Sequence, residues 1–595
     1  MRSLFKSFPF KIILALFSGI LMGLTPAPME AWGFAWIALI PLWILVVKAV
    51  NEKHSIRKAI AYGLAWGFGY HGLALFWITG VHPMDWMGVP WLASLAIAAF
   101  CWIFITLWGA GIVIAWSVAM VFLMQTPPFE NDLPKSPTSP SPSGRGNIRM
   151  LRSYILGTFK NFSAFKLPSP SGRGAGGEGL RARGDLSASL KFKTETKNVW
   201  LRLLLGVAIW CGLEAFWGLG NLYWSSISYT QSPHNLAILH LGQLSGPLTV
   251  TAAIVTVNGL LAEGILQIKR HYFELKRQDF IFWLLAIALF CLFHLIGWEL
   301  YSRPLSNPPE NAIKVGIIQG NIPNTIKLYP QGWVKAIQGY TQGYRDLANQ
   351  GVEAILTPET ALPFNWAANP QNYHPLQHSF YDAVLEENVL VWVGGYNNQG
   401  NTYTNSLFTL TGRGNIISRY DKFKLVPLGE YIPFQPILGN LINRLSPLEA
   451  NLVPGKPNQT FNTPFGQAIV SICYESAFPQ VFRRQAAKGG EFILSSSNDA
   501  HYSETMPRQH HAQDIMRSIE TDRWAVRATN TGYSAIVNPH GETQWISEMN
   551  QYQIHADTIY RRQTKTLYVR WGNWLTLLLL GLGAIAFIIS WIRYK

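Results

Sequence analysis

At 595 residues the chain is too long for one ordinary domain, and 49% hydrophobic content with 24 Trp and only 14% charged residues excludes a wholly soluble protein of average make-up. The formal charge of +15 is carried mostly in loops between apolar runs, so it reads as membrane topology and no nucleic-acid partner is expected. Of four cysteines, Cys101, Cys211 and Cys291 lie inside apolar segments, which excludes a disulfide framework and a paired-cysteine metal site and leaves Cys473 by itself.

Apolar runs near the roughly 20 residues that cross a bilayer core occur at 12–28, 33–50, 59–80, 89–124, 200–218, 236–265, 280–298 and 573–592, so eight spans are expected. The fourth run is long enough for two helices, with Gly109 and Gly111 as a candidate break. Loop charge decides for one. Lys and Arg cluster before the first span (Arg2, Lys6, Lys11), between the second and third (Lys48, Lys53, Arg57, Lys58), through 125–199, between the sixth and seventh (Lys269, Arg270, Lys276, Arg277) and at the end (Arg593, Lys595). The intervening loops TPAPMEAW, VHPMDWMG and LGNLYWSSISYTQSPHN carry none. A single fourth span puts every basic loop on one side, with both termini cytoplasmic and the segment between the last two spans outside. The first run resembles a signal peptide in its basic start and short apolar core, but it reads as a retained span because the later spans need no separate export signal.

Residues 125–199 are rich in Pro, Ser, Gly, Lys and Arg, and PSPSGRG occurs twice, at Pro140 to Gly146 and Pro168 to Gly174. Such a segment buries no core and reads as a flexible, basic cytoplasmic loop. Within the spans, Glu214, His240, Gln243 and Asn258 are polar groups at membrane depth; bonding between helices is their default role and a lipid-headgroup pocket the sharper one.

From Ala312 to about 562 the pattern changes. KVGIIQG, EAILTP, VLVWVGG, NSLFTLT, AIVSICY, EFILSSS and YSAIVNP read as strands, and WVKAIQGYTQGYRDLANQ, PLQHSFYDAVLEE, PQVFRRQAAK and PRQHHAQDIMRSIETDRW as helices. The alternation predicts a layered α/β domain with helices over the sheet faces. Ala468, Val470 and Ile472 make a buried strand that presents Cys473 at its end, and the helical stretch that follows is expected to aim backbone N–H groups at the sulfur. Glu359 leaves another strand end, and Lys422 lies in RYDKFKLVPLGEYIP with Glu430 eight residues on. A thiol, a carboxylate and an ammonium together supply a nucleophile, a proton acceptor and a cation for a tetrahedral oxyanion. Arg517 and Glu520 share a helix face, as a structural ion pair would.

TPET around Glu359, YDKFKLVPLGEYIP around Lys422 and Glu430, and SICYES around Cys473 resemble, in order and spacing, the Glu-Lys-Cys motifs of the nitrilase superfamily of carbon–nitrogen hydrolases. With seven spans before it and one after, and with QGNIP at Gln319 to Pro323 and SNDA at Ser497 to Ala500, the chain is similar to the apolipoprotein N-acyltransferases within that superfamily. It departs from them in having His501, Tyr502 and Ser503 where many relatives have Trp-Phe-Gly, and Leu328 after Lys327 where Trp is frequent.

The resemblance implies spans 1–4 over 1–124, the loop at 125–199, spans 5–7 over 200–300, a nitrilase-like αββα sandwich over 312–562 and an eighth span at 573–592. It implies that Glu359 is the general base, Lys422 the oxyanion-stabilising cation and Cys473 the acyl-accepting nucleophile. Glu430 would orient the site, the Tyr474 backbone N–H would help bind the oxyanion, and Tyr474 and Glu475 would position substrate. The implied enzyme is a monomer of the bacterial inner membrane with its catalytic domain on the periplasmic side. It would take an acyl chain from a phospholipid onto Cys473 and pass it to the α-amino group of a diacylglyceryl apolipoprotein, with no cofactor or metal. The same residues would also serve a membrane-tethered amidase, the alternative reading.

Overall fold

The computed structural model describes residues 7–85, 88–126, 129, 179–270, 280–400, 402–427, 429–431, 452–500 and 502–594; for 179–197, 269–270 and 594 it describes the backbone only. Both PSPSGRG copies, His501 and the basic residues Arg2, Lys6, Lys276, Arg277 and Lys595 lie outside these.

The membrane bundle is built from α1 (Phe8–Gly23), α2 (Ile40–Ala49), α3 (Ser55–Ala74), α4 (Trp91–Met124), α5 (Gly179–Trp217), the short α6 (Leu236–Leu239) and α7 (Gly242–Ser245), α8 (Pro247–Arg270) and α9 (Phe280–Tyr301). Among the described residues six stretches are long and apolar enough to cross a membrane: Trp32–Ala49, Trp91–Met124, Asn198–Trp217, Pro247–Ile268, Phe280–Tyr301 and, after the α/β domain, Trp574–Arg593. Helix α1, at 16 residues, is shorter than that, and α3, at 20, is less apolar. Both nonetheless pack in the bundle. A Cβ on Gly19 of α1 would lie 2.1 Å from Trp66 O of α3, so the two backbones touch only because that position is glycine.

Two expectations need correction here, and one between them holds. The run 236–265 is not one helix: it breaks at Gly246 (φ 74°), ahead of Pro247, which has no N–H to continue a ladder. The run 89–124 holds as one helix, since neither Gly109 nor Gly111 interrupts α4. The last part of the expected loop 125–199 is helical, because α5 begins at Gly179 and runs on into the fifth apolar run.

The α/β domain contains, among the described residues, two six-stranded sheets. The first has the order β12-β1-β2-β3-β4-β5, made of β1 (Ala312–Gln319), β2 (Ala354–Leu356), β3 (Leu390–Gln399), β4 (Thr402–Leu410), β5 (Ile416–Asp421) and β12 (Gln553–Tyr560). The second has the order β11-β10-β9-β8-β7-β6, made of β6 (Phe461–Thr463), β7 (Gly466–Ile472), β8 (Phe492–Ser497), β9 (Ala525–Thr529), β10 (Ala535–Val537) and β11 (Thr543–Ile546). Each has three parallel strands at its centre, β1-β2-β3 and β7-β8-β9, and antiparallel strands outside them.

Period-two alternation sets the layers. Ala468, Val470 and Ile472 of β7 face Val315, Ile317, Leu356 and Trp392 of the other sheet, while Ile469 points outward against helices. Helices α11 (Pro330–Asn349) and α12 (Pro375–Glu387) cover the first sheet through Tyr340, Tyr344, Leu347, Phe380 and Val384. Helices α13 (Pro479–Ala487) and α14 (Thr505–Thr521) cover the second through Val481, Phe482, Ile515, Met516 and Ile519, and that cluster continues without a gap into Trp77, Trp217, Tyr223, Trp224 and Tyr229 of the bundle. The second helix layer is thus the joint between the two domains. From it the chain passes through α15 (Leu567–Trp571) to α16 (Trp574–Tyr594), which packs against α5.

Candidate active site

Three of the candidate groups, Glu359, Lys422 and Cys473, come from the ends of strands. Glu359 follows β2 in a turn laid directly on β3, where a Cβ on Gly394 would lie 2.1 Å from Pro358 O, so only glycine lets the loop lie there. Lys422 follows β5, its N–H donating to Asn405 O at 2.8 Å and so prolonging the pairing with β4 by one residue. Cys473 follows β7 with φ 52°, the left-handed region, and opens a single 3₁₀ turn, Cys473–Ala477. A non-glycine residue held there costs roughly 1–3 kcal/mol and persists only where its surroundings over-determine it.

The ammonium of Lys422 lies 2.9 Å from Glu359 Oε1 and 2.9 Å from Glu430 Oε1. Asn405 Nδ2 donates to the same two carboxylates at 2.7 and 3.1 Å. Glu430 is held in turn by the Val426 N–H on its other oxygen, at 2.8 Å. An ammonium has three N–H bonds; among the described residues two anchor Lys422, which leaves the third for a ligand. Burial by itself raises the Glu359 carboxyl, but the Lys422 ammonium outweighs it and keeps the group below the usual carboxylate range. Burial lowers Lys422, and Glu359 and Glu430 more than reverse this, holding it well above the ordinary lysine value. The Cys473 thiol is 7% exposed and stands well above its ordinary value, raised first by burial and then by the Glu359 carboxylate, against the opposing pull of Lys422. The resting pair is therefore a carboxylate and a neutral thiol, the arrangement a general base and its nucleophile require.

The site thus brings Glu359, Lys422, Glu430 and Cys473 together. The side chains of Tyr474 and Glu475 turn elsewhere. Glu475 is fully buried: its Oε1 accepts from Tyr420 OH and from the N–H groups of Phe423 and Lys424, at 3.0, 2.8 and 3.1 Å, and its Oε2 from the Ile472 N–H at 2.9 Å. It ties the lysine loop to the nucleophile's turn. Burial pushes its carboxyl up to about 7 despite those donors. Tyr474 OH donates to Asn221 O at 2.7 Å and its ring stacks on Trp224, in the segment linking α5 to α6. The backbone group that acts on the thiol also differs from expectation: the Asn498 peptide, beyond β8, draws it down against the larger effect of burial, whereas α13 begins only at Pro479, after the 3₁₀ turn.

Two further groups at the site carry no local signal of their role. Lys327 is 4% exposed, donates to Glu359 O at 2.8 Å and lies near both Glu359 and Cys473; burial brings its ammonium down to about 8 against the pull of Glu359. In sequence this lysine draws notice only through its neighbour Leu328, which stands where Trp is frequent. Asn405 lies in NSLFTLT, which in sequence reads only as a strand. Among the described residues no group of three or more His, Cys, Asp or Glu side chains is placed to hold a metal ion.

Of the polar groups at membrane depth, Glu214 and Asn258 bond between segments. Glu214 accepts from Trp210, Ser226, Ile227 N–H and Thr251, and Asn258 joins the 35–39 segment to α8. His240 Nδ1 lies 2.7 Å from Leu236 O, and Gln243 lies on α7. Arg517 and Glu520 form the expected buried pair at 2.8 Å.

Residues 314–558 match the family model for carbon-nitrogen hydrolases, and 18–129 that for the apolipoprotein N-acyltransferase N-terminal domain. The chain is 52% identical to an apolipoprotein N-acyltransferase of Nostoc sp., over 94% of this chain and 96% of that one. The chain belongs to the apolipoprotein N-acyltransferases. A second relative, from Synechocystis sp., is 45% identical over 95% of this chain and 98% of its own length. Among solved structures, an amidase from Nesterenkonia sp. is 16% identical, with a TM-score of 0.33, over 44% of this chain and 94% of that one. As a member of this family the chain is a membrane-bound acyltransferase of lipoprotein N-acylation, built on a nitrilase-like domain.

Proposed function

We propose that this enzyme takes a fatty acyl chain from a membrane phospholipid onto Cys473 and transfers it to the α-amino group of the N-terminal diacylglyceryl-cysteine of an apolipoprotein. Glu359 takes the thiol proton as sulfur attacks the ester carbonyl carbon, and the carbonyl π pair moves to oxygen. The third N–H of Lys422 and the Tyr474 backbone N–H meet that oxyanion. Collapse breaks the ester C–O bond, and Glu359 returns the proton to the departing alkoxide, releasing a lysophospholipid and leaving a thioester. In the second half the amine attacks the thioester carbon, Glu359 takes an amine proton, the C–S bond breaks and the thiol is restored as the amide forms.

The observation that carries this reading is the Glu359–Lys422–Glu430 array, buried beside a thiol whose turn is packed against a membrane bundle. A burial of this kind keeps water from the thioester while both lipidic substrates arrive from the bilayer.

For topology, we infer eight spans in the bacterial inner membrane, with cytoplasmic termini, a periplasmic catalytic domain and a monomeric enzyme. Lys11 of the first basic cluster and Lys58 of the second both bond Glu52, each at 2.6 Å, which supports placing those clusters on one side.

The deciding experiment is intact-protein mass spectrometry of wild type and Cys473→Ser after incubation with phospholipid, followed by neutral hydroxylamine. An acyl adduct on wild type alone, removed by hydroxylamine, is expected. Folded wild type that takes no adduct, or Cys473→Ser that takes the same labile one, overturns the reading.

A further inference from the structure

The turn that carries Cys473 is held from behind by a cluster of ionised side chains that take no part in the acyl-transfer steps. His510 of α14 is fully buried. Its Nε2 lies 2.9 Å from the Cys473 backbone oxygen and its Nδ1 3.1 Å from Asp499 Oδ1. Both neighbours are acceptors, so each ring nitrogen lies where an N–H would donate. The second oxygen of Asp499 accepts from Arg527 Nη2 at 3.0 Å, and Arg527 Nη1 pairs with Asp514, which also accepts from Ser495 Oγ at 3.1 Å. Asp499 thus lies between His510 and Arg527, and Arg527 between two carboxylates, each side chain at most 2% exposed.

Buried ion clusters contribute little net stability, because desolvation offsets their attraction, and their better-attested use is to fix one conformation over others. Here the conformation to be fixed is evident. Cys473 has a left-handed backbone, and its carbonyl lies where no strand partner reaches it. The rest of the turn is pinned as well: Tyr229 OH donates to Ala477 O at 2.8 Å and Arg517 to Ser476 O at 3.3 Å. The residue beside His510 faces the other way. Gln509 donates to Ala27 O and Ala74 O at 2.8 and 2.9 Å and accepts from the indoles of Trp77 and Trp224 at 3.1 and 2.8 Å. One turn of α14 therefore grips the bundle with one residue and the nucleophile with the next.

We propose that His510, held in place by Asp499, is a positioning residue for Cys473: it clamps the nucleophile's carbonyl, and with it the turn that sets the thiol beside Glu359, while Gln509 ties the clamp to the membrane bundle. The inference rests on Cys473 being the acyl carrier. It also gives a role to Asp499, in the SNDA motif, which touches neither Glu359 nor Lys422 by any hydrogen bond among the described residues.

The test separates the two bonds of the ring in the full-length, detergent-solubilised enzyme. The amide nitrogen of His510→Gln reaches the place of Nε2 and keeps the donor to Cys473. That of His510→Asn reaches the place of Nδ1 and keeps only the donor to Asp499. Acylation of Cys473 by phospholipid, its alkylation by iodoacetamide and the thermal midpoint are measured for both. His510→Asn is expected to slow acylation roughly 10- to 100-fold in kcat with KM for the lipid unchanged, since a buried carbonyl loses its donor, and His510→Gln to recover most of the rate at a similar midpoint. Wild-type rates in His510→Asn, or equal loss in both variants in step with equal loss of thermal midpoint, overturn the proposal. Should neither variant fold, Asp499→Asn, which keeps an acceptor but removes the balancing charge, is expected to slow acylation, and a wild-type rate there overturns it. If wild type takes no acyl adduct, the acyl-carrier reading fails, and the iodoacetamide rates still decide the clamp by the same order of variants.

Discussion

The two six-stranded sheets share a strand order but not a setting, and they divide the work of the site between them. The first supplies the charges: Glu359 leaves β2, Asn405 sits on β4 and Lys422 leaves β5. The second supplies the thiol, Cys473 at the end of β7, and the Asn498 peptide beyond β8 that acts on it. Helices α11 and α12 over the first sheet have one buried face and one polar face. On α14, over the second sheet, every residue from Met506 to Thr521 except Arg508 is buried, because sheet and bundle close on it from both sides. An outer layer turned to water tolerates change on its polar face. The same layer turned to another domain has none to spare.

Breaking the two halves at their centres has the largest expected effect. Cys473→Ala, on the second sheet, is expected to abolish acylation, and Glu359→Gln, on the first, to lower it by about 10²–10⁴-fold, the range for loss of a general base, with the protein still folded. Both are read by single-turnover transfer from phospholipid. Near-wild-type transfer by Glu359→Gln would remove the first sheet from the chemistry.

The helix layers are compared through two glutamines. Gln509→Leu on α14 leaves Ala27 O, Ala74 O and the indoles of Trp77 and Trp224 bare, and at about 1–3 kcal/mol for a buried group left unpaired the expected loss is at least about 3 kcal/mol. Thermal unfolding in detergent measures it, with proteolysis between the domains as a second readout.

The charge half is sharpened by pH. Lys327 is brought down to about 8, so its ammonium is present below that pH and lost as pH rises through it. Glu359 is shifted down and Cys473 up, away from this window. Transfer is therefore expected to decline above about pH 8, and Lys327→Met to flatten that alkaline limb and lower the plateau roughly 10-fold, as removal of a cation near developing charge does. An unchanged alkaline limb in Lys327→Met would place the titration elsewhere.

The smallest effect belongs to Gln342→Leu on α11, whose side chain donates to Asp346 at an exposed surface. It is expected to stay within about 0.5 kcal/mol of wild type, as surface changes away from special features do. A loss equal to that of Gln509→Leu would erase the contrast between the layers.

The sequence by itself determined the parts whose signal is local. The alternation of β7, the helix PLQHSFYDAVLEE, read at its observed ends, and the single fourth span all follow from periodicity or charge carried within a few residues. Glu359, Lys422, Glu430 and Cys473 were legible because each stands at a strand end or in an adjoining loop, inside a dense motif. Strands β5, β6, β9, β11 and β12 were not. They are short, or they alternate weakly at sheet edges, and it is their pairing partners across the sheet that make them strands. The start of β9 merges in sequence with the preceding helix, which ends at Thr521 because Asp522 turns left-handed at φ 57°. The break at Gly246 stayed hidden within an apolar run. Only tertiary structure decided the place of Lys327, the inward turn of Glu475 and the burial of α14. A lysine or glutamate reads as solvated surface until other elements close over it, and a polar helix reads as exposed until a second domain supplies partners for each of its bonds.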